Sequence, residues 1–402
     1  MKRDYTILVP NMLPIHFKLI CNVWRSNGYK IEFLDEFDRS TRETGLKYVH
    51  NDTCYPALLI IGQLLCALQS GRYDKDKVAL LITQTGGGCR ASNYIYLLRK
   101  ALKKAGLGHV PVISLNFGGM EDHPGFRLTA PMIYRMMYCA FYGDLIMLLA
   151  NQCRPYDRHE GDTDKLVDRW VERLSEEVMH PQNLRYGHVK KNYRRIIDDF
   201  ADLLGEKVRD KVKVGVVGEI YVKFSPMGNN NLEQFLRSEG VETVMPGFVD
   251  FCMYCVYNGI ADYELYGRQP GYAVLCRIAY RYLLKKQRYI RELILRDYPK
   301  FMPPADFDRT RRRAMSVIGI GTKMGEGWLL PAEMLELSDE GVKNIVCTQP
   351  FGCLPNHIVG KGVMKPIKEQ NPDVNIIAVD YDPSATAINQ ENRIKLMLSN
   401  AK

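Results

Sequence analysis

The chain has 402 residues, 46% hydrophobic and 25% charged, with a formal charge of +9. That length gives room for two domains with real cores, and the composition is that of an ordinary globular protein. No apolar run reaches the ~18 residues of a membrane span, which excludes a membrane partner from the expectations. The start Met1-Lys2-Arg3-Asp4 leads straight into a strand-like run, leaving no space for a signal peptide's apolar core. A cytoplasmic protein is expected. Eleven cysteines are many for that compartment, where thiols stay reduced and disulfides are rare.

In chain order, residues 5–10 read as a strand, 14–27 as a helix and 29–34 as a second strand. This is the βαβ opening of a parallel sheet. Cys54 precedes an almost wholly apolar segment, 56–70, which reads as a buried helix with Pro56 in its first turn. The apolar run 78–82 reads as a buried strand, followed by Thr83-Gln84-Thr85-Gly86-Gly87-Gly88-Cys89-Arg90 and a helix over 91–105. Another strand covers 110–115, and 130–150 is a strongly apolar helix. Residues 154–211 alternate charge with sparse apolar positions, as an amphipathic helical connector does. A new strand begins at Val212, so the domains are expected to be 1–211 and 212–402. The second half adds a helix through Phe235 and Leu236, a strand over 241–245 and a long basic helix over 271–296. Strand–loop–helix units follow around Cys353 and Asp380.

Two turns share one design. Thr83-Gln84 leads through glycine to Cys89, and Thr348-Gln349-Pro350-Phe351-Gly352 leads to Cys353. A glycine turn at a strand's carboxyl end is where open α/β sheets place ligands, and Gly87, Gly88 and Gly352 expose backbone N–H groups there. Cys54 lies beside a helix N-terminus, which favours a thiolate. These three cysteines read as ligands of one iron–sulfur cluster between two α/β halves; the alternative is three unrelated buried thiols. Three protein ligands leave one iron open.

Cys252 and Cys255 form a CxxC in what reads as a packed helix. They are core thiols on that reading, with Cys255 as an extra ligand the other possibility. Cys139, Cys276 and Cys347 read as core. His357 could donate a proton near a cluster, although a lone loop histidine is more often structural, and Glu219, at a strand end, has the same standing. Gly86-Gly87-Gly88 lacks the Gly-Lys-Ser/Thr ending of a phosphate loop, so ATP hydrolysis is not expected of this chain. The basic helix reads as a solvated or docking face rather than a nucleic-acid interface.

The stretches Asn51-Asp52-Thr53-Cys54-Tyr55-Pro56-Ala57, Thr83 to Tyr94 and Thr348 to His357 resemble the 2-hydroxyacyl-CoA dehydratase and benzoyl-CoA reductase superfamily. The chain looks most like the carboxy-terminal part of large acyl-CoA dehydratase activase-type proteins, and is also similar to double-cubane cluster proteins. The resemblance implies two Rossmann/flavodoxin-like α/β domains with parallel sheets and a cluster in the cleft between them. It matches Cys54, Cys89 and Cys353 to the family's ligands. The cofactor it implies is a [4Fe–4S] cluster or an [8Fe–9S] double cubane, the latter drawing on more cysteines, among them Cys255.

The partner it implies is a separate ATP-hydrolysing iron–sulfur activator that injects a low-potential electron; a homodimer or a related subunit is a further expectation. The expected function is reduction of a small substrate at an open iron. A 2-hydroxyacyl-CoA dehydratase component and a non-catalytic electron relay are the alternatives.

Overall fold

The structure, a computed structural model, describes every residue except 1, 3, 51, 117–120, 122, 124, 207, 208, 401 and 402. Its first half runs β1 (Thr6–Pro10), α1 (Pro14–Arg25), β2 (Lys30–Leu34), α2 (Arg39–Tyr48), α3 (Tyr55–Gln69), β3 (Val78–Thr83), α4 (Tyr94–Lys104) and β4 (Val112–Leu115). Three long helices follow: α5 (Ala130–Cys153), α6 (Asp162–Glu177) and α7 (Tyr186–Leu204). The second half opens with β5 (Lys213–Gly218), α8 (Ile220–Phe224), α9 (Pro226–Asn229), α10 (Leu232–Ser238) and β6 (Glu242–Val244). It continues through α11 (Phe248–Tyr266), α12 (Pro270–Asp297), α13 (Phe307–Ala314), α14 (Leu329–Asp339) and β7 (Asn344–Pro350). It closes with α15 (Met364–Gln370), β8 (Asn375–Tyr381) and α16 (Ala387–Ser399).

The fold is α/β, with two four-stranded sheets ordered β2-β1-β3-β4 and β6-β5-β7-β8. All pairings are parallel. Both sheets thus have the same winding, that of flavodoxin-like domains. In such sheets the order reverses beside the first strand and opens a crevice at the strands' carboxyl ends. Here that point falls between β1 and β3, and again between β5 and β7. Parallel strands covered on both faces must be apolar throughout; β3 and β7 are buried along nearly their whole length. Cys347 is buried within β7 and packs as core.

One hydrophobic cluster joins both halves, and a smaller one around Leu335, Val342, Ile345 and Ile367 fills the other face of the second sheet. Helix α5 packs on α1, α7 and α11 and ties the halves together. By length and composition the segment Ala130–Tyr156 is apolar enough to cross a membrane, but 67% of its most apolar stretch is buried within this fold. It is a longer apolar helix than the sequence pattern suggests.

Candidate metal centre

Each of the three cysteines stands at the start of a helical segment. Cys54 is the residue before α3, whose first turn holds Pro56. Cys89 precedes a 3₁₀ turn, Arg90–Asn93, that runs into α4. The sequence predicts a helix from 91; the α-helix begins at Tyr94 because the Ser92 hydroxyl donates to the Cys89 carbonyl at 2.7 Å and the first turn tightens. Cys353 follows Gly352, whose φ of +73° suits glycine. The Cys353 carbonyl accepts from the His357 N–H at 3.2 Å and leads into a π-helical turn, Asn356–Lys361. Helix starts carry a partial positive charge that favours a thiolate, but burial outweighs it at all three cysteines.

The loops bearing these cysteines meet. The Tyr55 N–H donates to the Phe351 carbonyl at 3.0 Å, joining the Cys54 and Cys353 turns across the two halves. The Tyr94 hydroxyl lies 2.9 Å from Cys54 Sγ, linking Cys54 to the helix that Cys89 starts. Arg90 donates to the Asp52 carbonyl and fastens the same two loops. Gly325 completes the ring: a β-carbon there would lie 3.9 Å from Cys89 Sγ and 3.0 Å from the Pro355 ring. The Gly88 N–H donates to the Met324 sulfur at 2.8 Å, so an amide of the glycine turn is aimed at sulfur. Gly87 and Gly88 are exposed. Asn51, the first residue of the Cys54 motif, lies outside the described residues.

Cys54 and Cys353 are buried and Cys89 half-buried. Burial raises all three thiol pKa values, Cys89 to about 12. Two carboxylates add to the effect: Glu326 and Glu219 both raise Cys89 and Cys353, and Glu219 raises Cys54. Glu219 caps α8, its carboxylate accepting from the Val222 N–H at 2.9 Å. Glu326 accepts from the Ile220 N–H at 3.1 Å. Sequence reasoning missed Glu326. The only local signal is its place between Gly325 and Gly327, both with positive φ.

The other expected residues take different places. His357 is exposed. Cys252 and Cys255 lie on α11, but Cys255 is exposed rather than core. It is accessible to water yet crowded on its remaining sides, and burial together with Glu326 pushes its thiol up to about 12. Cys139 and Cys276 are buried core residues.

Among the described residues no three His, Cys, Asp or Glu side chains are close enough to hold a single metal ion. A cluster asks for something else, since each thiolate binds a different iron and the sulfurs need not meet at one point. Three thiols on adjoining loops, with a glycine at 352 where a β-carbon would crowd Cys54, fit a cluster better than a lone ion.

No family model matches the chain. No curated protein matches it either. Among solved structures it is similar to a two-domain protein with DJ-1/ThiJ/PfpI-like and ferritin-like domains from Anabaena variabilis. The identity is 11%, over 75% of this chain and 98% of that one, with a TM-score of 0.14. A likeness of that degree carries no inference about function.

Proposed function

We propose that this chain is an iron–sulfur redox protein that accepts low-potential electrons from a separate ATP-dependent activator and reduces a small substrate. The observation that carries the reading is that Cys54, Cys89 and Cys353 precede three helical segments, with the Cys54 loop touching both of the others. Those cysteines would hold the cluster, which would supply one-electron chemistry at an iron without a protein ligand. The chain's own residues do the rest. The Tyr94 hydroxyl lies within hydrogen-bond distance of Cys54 Sγ, Gly352 lets the Cys353 turn approach Cys54, and burial shields Cys54 and Cys353 from water. Low dielectric and nearby carboxylates disfavour added negative charge, consistent with a centre that needs a strongly reducing partner.

The test is low-temperature EPR of protein reconstituted without oxygen and treated with titanium(III) citrate. A reducible cluster signal, lost in Cys353→Ala, supports the reading. Absence of any such signal after full reconstitution overturns it.

A further inference from the structure

Two buried carboxylates share one helix turn, and the residue before one of them, Gly325, lies against Cys89. Glu219 is 9% exposed and Glu326 6%. Glu219 comes from the end of β5 and Glu326 from the loop before α14, yet both accept N–H groups of the first turn of α8, from Val222 and Ile220. The backbone fixes them there. The Glu219 N–H donates to the Thr348 carbonyl at 3.2 Å, and Tyr254 holds the Gly325 carbonyl at 2.9 Å.

Among the described residues no basic side chain pairs with either carboxylate. Lys223, on the same short helix, is bound to Glu333 at 2.9 and 3.2 Å, both residues being buried. The other titratable groups that face the pair are Tyr221 on α8, Tyr254 and Cys255 on α11, Tyr94 on α4, Cys347 on β7 and the thiols of Cys54, Cys89 and Cys353. None of these adds a positive charge. Two carboxylates sharing a desolvated site with one committed cation cannot both stay ionised.

We propose that Glu219 and Glu326 together hold one exchangeable proton beside the thiol site, and that this proton answers changes of charge there. Burial and Glu326 raise Glu219 to about 8, in keeping with that geometry. The redox half of the proposal rests on the cluster reading. Above about pH 8, where the pair has lost its proton, an added one-electron reductant loses one electron, the site gains it, and one proton moves from water back onto the carboxylate pair. Charge is then balanced within the protein.

Two measurements separate this proposal from the cluster reading. The first uses metal-free protein and follows the infrared carbonyl band of carboxylic acids from pH 5 to 10. Wild type should keep a protonated carboxyl at neutral pH that titrates near 8, and the titration should move at least one pH unit lower in Glu219→Gln and in Glu326→Gln. Glutamine retains the acceptor for each N–H, and matching thermal melts would show that each variant folds. A neutral-pH band missing from wild type, or unchanged in both folded variants, overturns the proton pair whether or not iron binds. The second follows the reduction potential of loaded protein. Above pH 8 it should fall by about 59 mV per pH unit, the one-electron equivalent of a tenfold change, and become flat in both variants. A flat wild-type profile overturns the coupling. Failure to load iron overturns the cluster reading alone, because the infrared measurement still decides the pair.

Discussion

Gly352 lies against the backbone of Cys54: a β-carbon at Gly352 would come 3.2 Å from Cys54 Cα and 3.4 Å from its nitrogen. The residue before Cys353 therefore touches the first cysteine of the site, and its φ of +73° suits only glycine without strain. Gly352→Ala should cost about 1–2 kcal/mol from the left-handed backbone, plus the displacement of Cys54. Gly341, also left-handed but with open space around its would-be β-carbon, is the control. In urea denaturation Gly352→Ala should lose more stability than Gly341→Ala, and Gly88→Ala should lose little because the atom it meets is the flexible Met324 side chain. Equal losses at 352 and 341 would show that the contact with Cys54 has no energetic weight.

The buried pair Lys223–Glu333 can be tested by itself. Removing one partner strands a charge in the core, which costs about 3–5 kcal/mol. Lys223→Met should therefore be strongly destabilised, and Lys223→Met with Glu333→Leu should recover much of the loss. Chemical denaturation of the three proteins measures this; a double variant no more stable than the single one would count against a dominant electrostatic cost.

The raised Glu219 carboxyl also gives stability a pH dependence. Its folded value of about 8 exceeds the ordinary 4.5, so the native chain binds more protons than the unfolded chain between these values. Its contribution is fully present below about pH 4.5 and is lost as pH rises toward 8. The folding free energy of metal-free wild type should fall across that window more steeply than that of Glu219→Gln. Parallel curves for the two proteins would contradict the assignment.

Much of the fold could be read from the sequence because its strands are continuous apolar runs closed by glycine or proline. Val78 to Ile82 and Val214 to Val217 leave few other readings, and Cys347 falls inside such a run. The cysteine turns stood out for a related reason, since glycine follows the end of each strand there, and the structure gives Gly352 and Gly87 a positive φ. Glu326 could not be found this way. It sits in an aperiodic polar loop, and its importance comes from the Ile220 N–H, 106 residues away. Cys255 misled for the opposite reason. Its stretch of helix is apolar nearly all round, so periodicity alone does not show that Cys255 opens to solvent.

The most direct test of the central claim is the iron and acid-labile sulfide content per chain after strictly anaerobic purification and reconstitution, in wild type, Cys89→Ala, Cys353→Ala and Cys347→Ala. The expected result is about four irons per chain, or about eight for a double cubane. The metal should be lost on changing Cys89 or Cys353 and kept on changing Cys347, which packs inside β7. Iron-free wild type, or equal loss in all three variants, would contradict a cluster held by these thiols.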